Sequence, residues 1–255
     1  MTESPNVLPS MRLDGQVALV TGAGRGIGRA AAMALAEAGA EVVAMSRTEA
    51  EVQAVAAAIR EGGGQARAVV CDVTDTAAMR HEFGRIGRLD LLLNNAGTNI
   101  VSPFLEAEEA ALDAMLGLNI RAAVLVAQEA ARLMARQGGG VIINVSSTFG
   151  KVGRPNNAIY SGSKHFIEGF TKSLAVELAP LGIRVVAVGP TAIETPLTAA
   201  RLADPVVGGD LLSRIPLGRF GQVEDVVGAV VFLASPAAAL ITGTTLMVDG
   251  GWTAQ

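Results

Sequence analysis

The sequence has 255 residues, half of them hydrophobic, and a net charge of −4. A chain of this length can bury an extensive core, and we predict a single domain over residues 1–255. Because the net charge is negative and no block of like charges occurs, the sequence offers no basic face for nucleic acid.

The N-terminal segment and the cysteine content indicate a cytoplasmic protein. Residues 1–11 have neither the basic nor the apolar region of a signal peptide, and we interpret them as an N-terminal tail. The single cysteine, Cys71, cannot form an internal disulfide, which fits a reducing compartment.

Short, β-branched apolar runs alternate with longer, alanine-rich stretches along the chain. We predict strands at 17–21, 41–46, 66–71, 89–95, 141–146, 183–189 and 245–248. We predict helices at 27–38, 48–61, 76–84, 107–136, 160–179 and 222–234. The strand runs are continuously apolar, which indicates a parallel sheet covered on both faces. The alternation predicts an α/β fold with a doubly wound, Rossmann-like parallel sheet of about seven strands and helices on both faces.

The first predicted strand is followed by Gly22, Gly24, Gly26 and Gly28. Glycines let a phosphate approach the backbone, and the helix that follows offers free N–H groups and a positive dipole end. The spacing differs from the general dinucleotide fingerprint, so a plain tight turn remains the alternative. A P-loop is excluded, because no Gly-Lys-Ser/Thr follows.

The end of the second predicted strand distinguishes between nucleotides. A NAD site usually has Asp or Glu there, but this strand ends with Ser46, Arg47 and Thr48. Arg47, together with Arg25 of the glycine-rich turn, can pair with a 2′-phosphate. The sequence thus favours NADP(H), with NAD(H) as the alternative if Arg47 is only a surface charge.

Tyr160 is the only tyrosine, and Lys164 lies four residues after it on a predicted helix, so both share one face. A free phenol has a pKa of about 10, and a neighbouring cation lowers it. Such a tyrosine can exchange a proton with an alcohol or carbonyl oxygen. The serines of "INVSS" end the fifth strand, where ligands bind in open α/β sheets. The alternative is a buried tyrosine beside a lysine that extends to solvent.

The residues 226–248 carry no charge and approach the length of a membrane helix. Ser235-Pro236 and the polar segment 242–245 interrupt them, so we predict a helix, a turn and a strand, and no membrane partner.

Taken in order, the motifs resemble those of the short-chain dehydrogenase/reductase family over about residues 12–252. The similar segments are "TGAGRGIG" (21–28), "CDV" (71–73), "NNAG" (94–97), "LGLNIRA" (117–123), "NVSS", "YSGSK" (160–164) and "VDGGW" (248–252). The resemblance implies hydride transfer between nicotinamide C4 and a substrate carbon. Two positions depart from the family pattern: Val186 stands where Asn is frequent, and Thr191 where Gly is frequent.

The resemblance implies four catalytic residues. Tyr160 would exchange a proton with the substrate oxygen, and Ser147, 13 residues earlier, would polarise that oxygen. Lys164 would lower the pKa of Tyr160 and hold the nicotinamide ribose, and Asn119 would hold a water that relays protons. The implied cofactor-binding residues are Gly22, Gly24, Arg25, Gly26, Ile27, Gly28, Ser46, Arg47, Asp72, Val73, Asn95, Ala96, Gly97, Tyr160, Lys164, Pro190, Ile193 and Thr195.

Residues 191–221 lack clear periodicity, and we predict that they form a substrate loop. The pocket is expected between this loop and residues 147–157, with side chains from Thr148, Phe149, Val152, Arg154, Asn156, Asn157, Ala192, Pro196, Leu197, Leu202, Val206, Leu211 and Leu212. Arg154 could meet a carboxylate or phosphate, although a solvated loop arginine is the favoured interpretation.

The leading functional hypothesis is an NAD(P)(H)-dependent oxidoreductase acting on a small carbonyl or secondary-alcohol substrate. The alternatives are a 3-oxoacyl-carrier-protein reductase, for which Arg154, Arg201 and Arg214 are candidate basic residues, and a sugar or polyol dehydrogenase. A non-catalytic cofactor-sensing protein is the alternative from a different class. His81 and His165 have no ligand cluster around them, so no metal site is predicted. The apolar helices 107–136 and 160–179 indicate a homotetramer, or at least a dimer, as in the family.

Overall fold

The computed structural model describes residues 9–255, which form a seven-stranded parallel sheet between two helical layers. The strands are β1 Val17–Thr21, β2 Glu41–Ser46, β3 Gln65–Val70, β4 Leu91–Asn94, β5 Gly140–Val145, β6 Ile183–Pro190 and β7 Thr245–Val248. Their order is β3-β2-β1-β4-β5-β6-β7, and every neighbouring pair is parallel. The predicted doubly wound α/β fold is confirmed. Residues 1–8 of the predicted tail lie outside the described residues.

The described residues contain nine α-helices. They are α1 Gly26–Glu37, α2 Glu49–Glu61, α3 Thr76–Gly84, α4 Glu109–Leu116, α5 Ala123–Gln137, α6 Ala158–Leu178, α7 Ala199–Ala203, α8 Pro205–Ser213 and α9 Val223–Ala234. The predicted helix 107–136 is divided, because the π-helical segment Gly117–Ala122 separates α4 from α5. The spacing of apolar residues does not predict where a helix widens locally into a π-helix. Such π-helical segments often occur at functional sites.

Both faces of the sheet are buried, which explains the continuously apolar strands. In β1, Leu19 packs on one face, whereas Ala18 and Val20 pack on the other. All three side chains are fully buried. The uncharged stretch 226–248 contains most of α9, a short 3-10 turn and β7, as predicted.

The region 191–221 is more regular than the sequence indicated, because it contains α7 and α8. Asp204 caps α8 by accepting hydrogen bonds from the backbone N–H groups of Val206 and Val207, at 2.9 and 2.8 Å. Pro205 follows at the first helical position, where its missing N–H costs nothing. This Asp-Pro pair is a helix-start signal that our reading of the sequence missed.

The continuous helical stretch Glu109–Gln137 is long and apolar enough to cross a membrane, judged by length and composition alone. One third of its most apolar window is buried. The C-terminal part, α5, packs on the sheet, with Val126 and Met134 in the core beneath β4 and β5.

Candidate active site

A cavity of about 610 Å³ lies at the carboxyl ends of the strands, where the strand order reverses between β1 and β4. All the cofactor-binding residues predicted above line this cavity, and Ser147 lines it as well. Asn119 does not. The lining also includes Asn99 and Ile100, which follow β4 and could have been found from the rule about strand ends. Glu51, on α2, lines it without any sequence signal.

The glycine-rich turn has the conformation that an approaching phosphate requires. Gly22 and Gly26 have φ values of 65° and 55°, in the left-handed region that side chains disfavour. A Cβ on Gly28 would overlap the Gly22 carbonyl oxygen, so the turn closes only with glycine there. The N-cap residue of α1, Arg25, makes no side-chain capping bond, which leaves the first N–H groups to a ligand.

The segment after β4 holds this turn in place. The Thr21 hydroxyl oxygen accepts hydrogen bonds from the backbone N–H groups of Asn95 and Ala96, at 3.0 and 3.1 Å. The Asn95 side-chain amide donates to the carbonyl oxygens of Thr21 and Gly22, at 2.9 and 3.3 Å. The residues present therefore fit a dinucleotide whose pyrophosphate lies over the turn.

The far end of the cavity is lined by two arginines and by the carboxylates of Glu51 and Asp72. Arg25 and Arg47 are exposed, line the cavity and make no ion pair within the described residues. Burial opposes ionisation of Asp72, yet hydrogen bonds from Thr74 and the charge of Arg47 lower its pKa. Two free guanidinium groups beside a nucleotide site suit a 2′-phosphate.

Tyr160 and Lys164 meet at the near end of the cavity. Tyr160 lies in the first turn of α6, with its ring edge-to-face against Phe149 at a centroid distance of 6.3 Å. The Lys164 ammonium lies 5.6 Å from the centre of the Tyr160 ring. It donates a hydrogen bond to the carbonyl oxygen of Val145 at 2.8 Å. The predicted sharing of one helix face is confirmed.

The electrostatics at Tyr160 differ from our expectation. Burial raises the pKa of Tyr160, and this outweighs the lowering by the Ser147 hydroxyl and by the charge of Arg201. Burial also lowers the pKa of Lys164 to about 8. Lys164 is itself desolvated and donates to the Val145 carbonyl, and its expected lowering of the tyrosine pKa stays a prediction.

Ser147 and Ser146 have different partners at the end of β5. The Ser146 hydroxyl donates to the buried carboxylate of Glu168 at 2.5 Å. Glu168 also accepts from Thr245 at 2.6 Å and pairs with Lys151. The Ser147 hydroxyl oxygen accepts from the backbone N–H of Phe149 at 3.1 Å, and the hydroxyl also bonds to the Tyr160 phenol, whose pKa it lowers. The sequence did not predict a role for Glu168, because its three partners lie in separate segments of the chain.

The buried Asn119 lies in the π-helical segment, and its side-chain amide forms hydrogen bonds with other protein groups. Its Oδ1 accepts from the backbone N–H of Thr98, and its Nδ2 donates to the Thr98 carbonyl, both at 2.9 Å. Nδ2 also lies 3.2 Å from the Ser163 hydroxyl. The side chain thus ties the segment after β4 to α6. Its expected role in holding a water stays a prediction.

The predicted substrate pocket is only partly correct. Of its predicted side chains, Pro196 and Leu197 alone line the cavity. Phe149 and Leu211 instead form an apolar cluster with Ile215 and Trp252, against which Tyr160 packs. The difference arises because α8 turns Leu211 into this cluster and leaves Val206 on the outer surface, where it is 78% exposed.

In the part of the chain that the structure describes, no three His, Cys, Asp or Glu side chains cluster as metal ligands. His165 Nδ1 lies 2.9 Å from the Ser161 carbonyl oxygen in its own helix. Cys71 is buried, and burial raises its pKa to about 11.

Comparison with known proteins agrees with this geometry. The family model described as Enoyl-(Acyl carrier protein) reductase matches residues 22–253. An L-xylulose reductase of Bos taurus is 45% identical over 245 residues, which cover 96% of this chain and 99% of the relative. The chain belongs to the short-chain dehydrogenase/reductase family.

Other relatives within the short-chain dehydrogenase/reductase family have different names. A 3-oxoacyl-[acyl-carrier-protein] reductase of Synechocystis is 42% identical over 94% of this chain and 97% of its own. A solved gluconate 5-dehydrogenase of Burkholderia cenocepacia, in complex with NADP and tartrate, is 38% identical with a TM-score of 0.91, over 96% of this chain and 98% of that one. The family is therefore clear, and the substrate differs among its relatives.

Proposed function

We propose that this short-chain dehydrogenase/reductase interconverts a carbonyl compound and a secondary alcohol with NADP(H). The observation that carries the proposal is a single cavity with Tyr160, Ser147 and Lys164 at one end and two free arginines at the other. A nicotinamide cofactor that spans this cavity would bring its reactive carbon to Tyr160. The relatives named above support an oxidoreductase.

The proposed chemistry assigns a task to each side chain. The bound nicotinamide supplies the hydride in reduction and accepts it in oxidation. Tyr160 donates its phenolic proton to the substrate oxygen, and the Ser147 hydroxyl donates a hydrogen bond to that same oxygen. Lys164, 5.6 Å from the tyrosine ring, stabilises negative charge on the phenol after the proton has left.

The cofactor preference rests on the adenosine end of the cavity. Arg47 and Arg25 offer a 2′-phosphate two cations, and β2 ends without a carboxylate for the ribose hydroxyls. The solved relative of Burkholderia cenocepacia contains NADP, which supports the same choice. NAD(H) is the alternative cofactor.

Two substrate classes are candidates for this active site. L-xylulose reductase of Bos taurus and D-erythrulose reductase of Gallus gallus, the latter 40% identical, favour a small polyhydroxylated ketone. The 3-oxoacyl-[acyl-carrier-protein] reductase of Synechocystis favours an acyl thioester as the second candidate. A cofactor sensor without catalysis would bind the nucleotide and turn over neither substrate.

The test is the rate of NADPH oxidation with L-xylulose and with an acetoacetyl thioester, measured for the wild type and for Tyr160→Phe. We expect turnover of a ketone to fall about 10²–10⁴-fold in the variant, since the proton donor is lost. NADPH affinity should change less than about threefold, because only the hydroxyl is removed. Turnover that survives in Tyr160→Phe would contradict the assignment of the acid, and binding without turnover in the wild type would favour the sensor.

We also propose a homotetramer, or at least a dimer, that works in the cytoplasm. Two thirds of the apolar window in Glu109–Gln137 is not buried within one chain. The rings of Phe166 and Phe170 on α6 are stacked with their centroids 5.7 Å apart, and Phe166 is partly exposed. A second copy of the chain is the simplest cover for these apolar surfaces. The single cysteine, Cys71, is free and buried, so the protein does not depend on an oxidising compartment for a disulfide within the chain.

A further inference from the structure

Two of three neighbouring arginines share one carboxylate, that of Asp210. Arg154 precedes α6, Arg201 lies on α7, and Arg214 follows α8. Asp210 pairs with Arg154 at 3.0 Å and with Arg214 at 3.2 Å. Arg201 makes no ion pair within the described residues. The group as a whole carries a surplus of positive charge. None of the three arginines lines the cavity. Leu202 and Leu211, which follow Arg201 and Asp210 in the chain, belong to the apolar cluster against which Tyr160 packs.

Arg154 is not the solvated loop arginine that the sequence favoured. Its side chain is only 12% exposed. The Nη2 atom faces Asp210, but Nη1 is buried with no hydrogen-bond partner among residues 9–255. A buried, charged donor without an acceptor is costly, and native structures rarely leave one unless a ligand or ion supplies the acceptor.

Arg201 connects this group to the reacting centre. Its positive charge acts on the Tyr160 phenol, whose pKa it lowers, and on the Arg154 guanidinium, whose pKa it also lowers. The next residue, Leu202, packs against the same apolar cluster as Tyr160, so this part of α7 and the tyrosine share one set of buried neighbours.

We propose that Arg154 and Arg201 bind a carboxylate of the substrate, so that the protein acts on an oxo acid and its hydroxy acid rather than on a neutral ketose. This inference rests on the proposed function and specifies its substrate. A carboxylate would give Arg154 Nη1 its missing acceptor and would relieve the repulsion between the two guanidinium groups. Because the chain neighbours of Arg201 and of Asp210, the partner of Arg154, share the apolar cluster with Tyr160, we place the carboxylate on the same small molecule that carries the reacting oxygen.

The first experiment measures binding without turnover. Gluconate and its neutral counterpart glucitol are titrated into the protein–NADPH complex, and heat or nucleotide fluorescence is followed. We expect gluconate to bind at least about tenfold more tightly, since charge-assisted hydrogen bonds are the strong ones. Arg154→Met and Arg201→Met should each remove most of this preference. Arg214→Met, which loses an exposed partner of the same Asp210, is the matched control and should keep the preference.

The second experiment compares the reduction of 5-ketogluconate and fructose. We expect the preference in kcat/KM for the acid to fall about tenfold or more in the two methionine variants, mainly through KM, with fructose little affected. NADPH affinity and melting temperature show whether each variant is folded. Equal binding of gluconate and glucitol by the wild type, or a preference that survives in both variants, would overturn the inference.

The two proposals fail in distinguishable ways. If gluconate binding depends on the arginines but no ketone is reduced, the carboxylate site stands and the proposed oxidoreductase function fails. If fructose and an acetoacetyl thioester are reduced at least as well as 5-ketogluconate, with no dependence on Arg154 or Arg201, the oxidoreductase function stands and the carboxylate site fails.

Discussion

Burial governs the charge of the residues at the reacting end of the cavity. Lys164 keeps one hydrogen bond, to Val145, and burial lowers its pKa to about 8. Tyr160 is held neutral for the same reason, because burial raises its pKa. The pair is therefore a neutral acid beside an ammonium group that loses its charge slightly above neutral pH.

This lysine predicts how cofactor affinity depends on pH. The ribose hydroxyls and phosphates of NADPH favour the ammonium form, so binding raises the Lys164 pKa above its free value of about 8. Binding then takes up a proton above pH 8, and affinity should fall as pH rises, by up to about tenfold per pH unit. Titrations between about pH 6.5 and 9.5 measure this.

Lys164→Met should bind NADPH more weakly and lose the pH dependence. Lys172→Met changes an exposed lysine on the same helix, and this control should follow the wild type. A pH-independent affinity in the wild type would show that Lys164 is not the titrating group.

Arg47 predicts the nucleotide preference. In Arg47→Ser, the Kd for NADPH should rise about 10–100-fold, because a charge-assisted contact to the 2′-phosphate is lost. The Kd for NADH should change less than about threefold. Arg29→Ser removes an exposed arginine of α1 that does not line the cavity, and neither Kd should change. If the ratio of the Kd for NADPH to the Kd for NADH is unchanged in Arg47→Ser, NAD(H) becomes the favoured cofactor.

At the scale of elements, the turn between β1 and α1 depends on glycine. In Gly28→Ala, the new methyl group overlaps the Gly22 carbonyl oxygen, so the turn must open. We expect NADPH affinity to fall at least about tenfold and the melting temperature to drop. Gly228→Ala places a methyl group in open space on α9. This control variant should bind NADPH as the wild type does, and its free energy of unfolding should rise by about 0.5–1 kcal/mol.

The elements also show which features the sequence could predict. The seven strands follow from β-branched runs, and the residues that line the cavity follow from glycines and from positions at strand ends. The π-helical segment around Asn119 could not be predicted, because it changes the hydrogen-bond ladder without changing the apolar spacing. The partners of Glu168 and of Arg154 could not be predicted either, since they come from elements distant in sequence.

At the scale of the whole molecule, the unburied apolar helix faces predict assembly. Sedimentation should give about four times the mass of one chain. Phe166→Asp places a charge on the exposed aromatic pair of α6 and should shift the equilibrium towards smaller species. Leu105→Asp changes a 96% exposed side chain before α4 and should leave the mass unchanged. A wild-type monomer at micromolar concentration would contradict the proposed homotetramer.

The strand order has a consequence for how the chain folds. β1 pairs with β2 on one side and with β4 on the other, and β4 is synthesised only after β2, α2, β3 and α3. The pairing of Ala18 with Leu91 at the centre of the sheet therefore closes a long loop of the chain. The entropy cost of closing this loop must be met before the strand contacts can stabilise it. Parallel sheets built from such distant pairings fold slowly, and their unpaired edges are exposed meanwhile. Until β4 arrives, the edge of β1 is open to other chains, so refolding yield should fall as protein concentration rises.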